Sequence, residues 1–383
     1  MNSLKIVCGL LCLSLLIGQL WSMSRWNEAR GVYDDICYLR QAHLFQRFGV
    51  KGLDTDISHD DDGYLATKLK EINFTSNGVP CHTSMSSTGK LVIQYPPGTG
   101  FVLALFPERH QVIPLFVSAT VVVFGFALTG IFLAGAPQAI LMATTLGLLA
   151  IYMMVNPVKA SYSMAPTMVA CAVGGYFTAR LFAGGQQTGR TWLAIVLGLI
   201  LGLSVNFRLP NIFLSAGYFL FFVVAFLSSR EPKVAWRGFC FGVAFILGLA
   251  PTLIANALNA GSPLATTYSS VDVVPPAFSL EIIGQYVTDM QFVLILVVGV
   301  AIGYVFAART GSGLRRVAQV TGANLAVNLA FFLSHPIFTP YYLIPIALLS
   351  LWSLSFAMLM QPADAIEIPE QEANAPYRLG AGE

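Results

Sequence analysis

The chain has 383 residues, of which 10% are charged and 56% apolar, with a net charge of +2 and a mean hydropathy of +0.69. A soluble domain carries about 25% charge, so this chain cannot cover itself in water and must face lipid over most of its length. No basic run is dense enough for nucleic acid, and no nucleic-acid partner is expected.

Residues 4–21 form an apolar run after Lys5, long enough to span a bilayer. Ser22-Met23-Ser24 is a poor signal-peptidase site, so the run reads as an uncleaved anchor. Residues 22–111 are the one long polar region and hold 10 of the 19 acidic residues. Near their start stands the pair Asp34-Asp35, behind which Tyr38, Ala42, Phe45 and Phe48 recur at helical spacing. Two compatible readings of the pair stand. In one, Asp34 is a helix N-cap worth about 1 kcal/mol, both acids being favoured by the positive helix end. In the other, the apolar stripe lays a short helix on the outer membrane surface, and a carboxylate there acts as a general base.

Two later stretches imitate known binding loops. Pro96-Pro97-Gly98-Thr99-Gly100 lacks the Lys and the Ser or Thr that a phosphate-binding loop places after its last glycine. Asp54-Thr55-Asp56 with Asp60-Asp61-Asp62 hints at a calcium loop, but His59 replaces the central glycine and Leu65 the bidentate Glu. A solvated acidic loop is the better account. Apolar segments then follow at about 112–134, 138–156, 163–183, 191–207, 210–229, 237–258, 290–307, 315–334 and 340–360, making ten spans with the anchor. No span carries a central carboxylate, which weighs against an ion-coupled transporter.

The expected fold is an all-α polytopic membrane protein: a transmembrane domain over 1–360, with loop 22–111 carrying short surface helices, and a polar tail over 361–383. With a cytoplasmic N-terminus, Arg180, Arg190, Arg230, Lys233, Arg237, Arg309, Arg315 and Arg316 fall inside, and only Lys159 and Arg208 in short outside loops. The first loop then faces outward and the tail inward. Cys8, Cys12, Cys171 and Cys240 read as small apolar residues in spans. Cys37 and Cys81 share the outward loop, where a disulfide and two free thiols are both open readings.

Asp34-Asp35-Ile36-Cys37-Tyr38-Leu39 after one span resembles the acid-acid-x-x-Tyr-Leu opening of the polytopic C-type glycosyltransferases, which include protein O-mannosyltransferases, aminoarabinose transferases and galacturonosyltransferase-like proteins. Tyr95-Pro96-Pro97-Gly98, Ser161-Tyr162-Ser163-Met164-Ala165-Pro166, Phe207-Arg208-Leu209-Pro210, Gly261-Ser262-Pro263 and Tyr341-Tyr342-Leu343-Ile344-Pro345 are similar to further family motifs, in the family's order. The resemblance covers about residues 1–360. It implies transfer of a sugar, with inversion, from a polyprenyl-phosphate donor to a lipid or glycan acceptor on the outer face of a bacterial inner membrane. Asp34 or Asp35 would be the base. Lys159, Arg208 and Arg109 would meet the donor phosphate, with His335, Tyr341 and Tyr95 adding contacts. The acid that many family members carry after the fourth-span proline is here Thr167, so no metal and no cofactor is expected. A transporter or flippase of lipid-linked saccharides, or a non-catalytic family member, is the alternative.

Overall fold

The structure, a computed structural model, describes residues 1–26, 35–74, 79–155, 161–184, 189–268, 275–308, 310–335 and 337–360. The first half runs α1 (Asn2–Met23), α2 (Asp35–Phe48), α3 (Tyr64–Glu71), strands β1 (His82–Met85) and β2 (Lys90–Ile93), α4 (Gly98–Ala104), α5 (Val112–Leu133) and α6 (Pro137–Val155). The second runs α7 (Met164–Phe182), α8 (Arg190–Val205), α9 (Ala216–Ser229), α10 (Pro232–Ala260), α11 (Leu280–Thr288), α12 (Phe292–Ala307), α13 (Ser312–Ser334) and α14 (Leu343–Leu359). The chain is an all-α polytopic membrane protein, with 76% of its described residues helical.

Each of the ten expected spans falls on a helix. Among the described residues, seven helices or helical units are long and apolar enough to cross a membrane unaided, and α11 and α12, which meet at 81°, pass the same test as a pair. α7 and α8 fall outside that set for different reasons. α8 has only 16 residues. α7 has 14 of its 19 residues buried by protein, so its sequence is not shaped by contact with lipid. α14 is the most enclosed of the long helices, with 78% of its apolar window buried against 22% for the peripheral α1.

Backbone contact holds α8 to α10. A side chain at Gly198, Gly202 or Gly248 would strike the backbone of the partner helix, at Phe241, Phe245 and Leu199 respectively. Small residues let membrane helices approach this closely. Inside α10, Pro251 lacks an N–H and disturbs the helical ladder. Asn206, just past α8, fills the gap: its Nδ2 donates to the Gly248 carbonyl (2.7 Å) and its Oδ1 accepts from the Thr252 N–H (2.9 Å).

The first loop is more built than expected. It contains an antiparallel hairpin, His82 facing Ile93 and Met85 facing Lys90, closed by Gly89 at φ +70°. Two four-residue strands give too short an alternation to read from sequence. The hairpin tip caps α10: Ser87 Oγ donates to the Ala260 carbonyl and Thr88 Oγ1 to the Asn259 carbonyl, each at 2.8 Å, satisfying groups that a helix end leaves open. The acidic run is solvated in part, with Asp61 and Asp62 exposed, and is also engaged in the fold. Asp54 pairs with Lys90 (2.8 Å), Asp60 accepts the Leu65 N–H (3.0 Å) and Asp62 binds His43 (2.8 Å).

Cys37 and Cys81 form a disulfide that ties α2 to the hairpin, settling that open question. Their separation of 44 residues corresponds to about 4 kcal/mol of loop-closure entropy. Replacing both by serine should lower the thermal midpoint of the purified protein, and reductant should do the same to the unmodified chain. An unchanged midpoint in both would mean that the bond carries no stability.

Candidate active site

Helix α2 was expected to rest on the membrane surface. Instead Asp35 through Leu44 are all buried, the polar Arg40 and Gln41 as completely as Tyr38 and Ala42. The apolar stripe identifies one packed face, whereas the opposite face is enclosed by α4, the hairpin and the loop that carries Thr55. Gly98 and Gly100 explain the closeness. A side chain at Gly100 would strike Gln41, and one at Gly98 would strike Asn206. The Gly98 N–H donates to the Asn206 carbonyl (2.8 Å) and Thr99 Oγ1 to the Phe207 carbonyl (3.1 Å). The stretch that imitates a phosphate loop is therefore a joint between α2 and the residues just ahead of Arg208.

Asp35 is 1% exposed and reaches across to the segment before α7. Its Oδ1 accepts from Ser161 Oγ (2.8 Å) and from the Tyr162 N–H (3.0 Å). Asp35 is thus the first residue of α2 and also an anchor for the start of α7. Ser161 Oγ lies 3.1 Å from Ser163 Oγ, and Ser163 in turn neighbours Tyr38. Burial pushes the Tyr38 phenol well above its ordinary range, and the nearby Arg208 charge offsets only part of this. Tyr38 therefore remains a neutral hydroxyl.

Arg208 completes the cluster. It is 6% exposed, its guanidinium lies 4.2 Å from the Tyr342 ring centre and 4.9 Å from that of Tyr341, and its Nη1 is 2.7 Å from Met164 Sδ. Aromatic faces attract a cation, but a buried charge ordinarily has a counter-charge. Among the described residues Arg208 forms no salt bridge. Met164 and Tyr341 also line a mainly apolar cavity of about 640 Å³, whose other walls include Met168, Phe338, Asp289 and Gln291. The arrangement offers a buried cation and hydroxyl donors beside a space suited to an apolar chain.

Of the expected site residues, Asp35, Arg208 and Tyr341 come together here. Tyr95 joins them by stacking on Tyr38, with ring centres 5.0 Å apart. Arg109 does not join. It is exposed in the turn between α4 and α5, in the left-handed conformation, and takes no part in the cluster's contacts. His335 stacks on Phe331 at the end of α13, with ring centres 5.6 Å apart. Asp34 and Lys159 lie outside the described residues. Tyr342 and the pair Ser161 and Ser163 were not expected as site residues. The signal for the serines was present, since two hydroxyls flanking a tyrosine at the mouth of an apolar helix seldom serve packing alone.

Below the cluster, the disulfide stands beside His82, the one group of sulfur and imidazole atoms among the described residues close enough to hold a metal. Disulfide sulfurs are not thiolates, which are the form that binds metal, and His82 is already engaged. Its Nε2 faces Arg40 Nη1 (3.0 Å) and its Nδ1 faces the Pro80 carbonyl (2.7 Å), which fixes the tautomer with the proton on Nδ1. Burial, helped by the Arg40 charge, holds this ring down to about 4 from 6.5. The unfolded chain therefore binds a proton that the fold refuses between those pH values. Stability should be full above about pH 6.5 and fall as pH drops toward 4, by at most about 3 kcal/mol. Thermal midpoints across this window should show the slope, and His82→Asn should flatten it; an equal slope in the variant would assign the effect elsewhere.

The chain matches no family model, no curated protein and no solved structure.

Proposed function

We propose that this chain is a membrane glycosyltransferase that moves a sugar from a polyprenyl-phosphate donor to a lipid or glycan acceptor, with inversion. The observation that carries the reading is Arg208, a buried cation without an ion-pair partner among the described residues, set against Met164 and Tyr341, which line a large apolar cavity. In this reading the isoprenoid lies in the cavity and its phosphate meets Arg208, with Tyr38 and Tyr342 as hydroxyl donors. The bond from the anomeric carbon to the phosphate oxygen breaks through an oxocarbenium-like state. The acceptor oxygen forms the new bond as its proton passes to a carboxylate of Asp34-Asp35. Arg208 stabilises the charge that collects on the departing phosphate.

A second apolar groove, of about 340 Å³, supports a lipid on the acceptor side as well. It runs along a different face of α7, through Pro166, Ala170 and Val173, and reaches Phe207 beside Arg208. In the full reading all ten helical segments cross a bacterial inner membrane, both termini are cytoplasmic, and the site faces outward. The Cys37–Cys81 disulfide supports that side, because such bonds persist in oxidising compartments.

The break of 81° between α11 and α12, whose joint residues Asp289, Met290 and Gln291 line the cavity, favours a second reading as a carrier of lipid-linked saccharides. Purified protein in liposomes loaded with a mass-tagged polyprenyl-phosphate sugar separates the two. Release of free polyprenyl phosphate with a glycosylated acceptor supports the transferase. Movement of intact donor across the bilayer without release overturns it.

A further inference from the structure

The end of the bundle remote from Asp35 carries a second concentration of charge. α7 ends there, α9 ends there, and α8, α10 and α13 begin there. Along α7 this lies about 28 Å from the Asp35 end, at 1.5 Å per residue. The helix ends enclose a pocket of about 180 Å³ lined by Arg190, Arg237 and Arg316, with Phe182, Phe221 and Phe222 among its walls. Each arginine comes from a different helix: Arg190 opens α8, Arg237 lies in the second turn of α10, and Arg316 in the second turn of α13.

These cations sit close enough for Arg190 to feel the charges of both others. They are also held in place. Arg190 Nη2 donates to the Gly184 carbonyl (3.1 Å) and Arg316 Nε to the Ser312 carbonyl (3.2 Å). Neither Arg237 nor Arg316 forms a salt bridge among the described residues. Glu231 is the one carboxylate in the lining, which leaves the pocket with a formal charge of plus two. The charge bias between the two sides of a membrane explains basic residues at this end. It does not explain why three of them share one pocket instead of spreading into the headgroup layer.

We propose that Arg190, Arg237 and Arg316 form a binding site for a phosphate group, carried on a phospholipid headgroup or present as free phosphate. Guanidinium forks match phosphate oxygens in geometry and charge, and the phenylalanine walls suit the apolar part of a lipid. This site is independent of sugar transfer.

The test uses the full-length protein in nanodiscs of phosphatidylcholine, with or without phosphatidylglycerol, and in a separate arm titrated with inorganic phosphate. Thermal midpoint and lipid retained in native mass spectrometry are read. A rise with phosphatidylglycerol alone assigns a lipid headgroup, and a rise with inorganic phosphate in phosphatidylcholine assigns the free anion. Arg237→Gln with Arg316→Gln should weaken that binding about tenfold or more. Glu231→Gln should strengthen it, which decides the matter if the arginine variant fails to fold. No rise with either ligand, unchanged binding in a folded arginine variant, or unchanged binding in Glu231→Gln overturns the site.

Discussion

Arg208→Gln should reduce transfer from a polyprenyl-phosphate sugar by about 100-fold or more, the usual loss when a preorganised group that meets developing charge is removed, while leaving the fold nearly as stable. The two halves of this expectation follow from the same geometry. The guanidinium is buried among Tyr38, Tyr341, Tyr342 and Met164, with no salt bridge among the described residues. Its attraction to the rings stabilises the empty protein, but its desolvation works in the opposite direction. Substitution should therefore change the unfolding free energy by less than about 2 kcal/mol. Lysine should not rescue activity, because an ammonium lacks the planar fork that both stacks on tyrosine and grips phosphate. Transfer rates and thermal unfolding on the same preparations check this. A variant that loses stability in step with activity would make Arg208 a structural residue and remove the main support for the transferase reading.

Asp35→Asn and Asp35→Ala should separate two roles that one carboxylate combines. Asparagine keeps an oxygen that can accept from Ser161 and from the Tyr162 N–H, so the start of α7 should stay anchored. Alanine removes the shared acceptor of both donors, at about 1–3 kcal/mol for a buried group that finds no other. If Asp35 is the base, both variants lose transfer by about 10²–10⁴-fold, and only alanine loses stability. If Asp34 is the base, Asp34→Asn loses transfer while Asp35→Asn retains most of it. Full transfer in both asparagine variants and in their combination would end the carboxylate assignment.

The sequence made the spans legible because lipid imposes long apolar runs, and each run lies on a helix. It could not reveal that α2 is enclosed, because periodicity reports only the apolar face, and the burial of Arg40 depends on the carbonyls of Thr55 and Asp56. The Asp35 anchor joins positions 126 residues apart, a pairing that no local pattern contains. Arg208 and Tyr341 could be picked out as polar groups at span ends. Tyr342 could not, since two adjacent tyrosines look alike until the backbone turn at Pro340 brings both rings against one guanidinium. Gly98 and Gly100 stand where Asn206 and Gln41 approach too closely for a side chain, a pairing across the chain that the local Pro-Pro-Gly-Thr-Gly pattern does not contain.

The hairpin cap on α10 has a consequence for biosynthesis. Asn259 supplies the oxygen for the Thr55 N–H, 204 residues earlier in the chain, and its amide donates to the Leu53 carbonyl. When the ribosome has finished the hairpin and α2, these partners do not yet exist. The platform beneath α2 must wait for α10 to be made and inserted, because contacts this distant in sequence form only after the intervening chain is in place. The Asp35 cluster is therefore a late product of assembly. A chain truncated before Asn259 should place its early spans yet leave the first loop open to protease, whereas one that reaches Gly261 should close it.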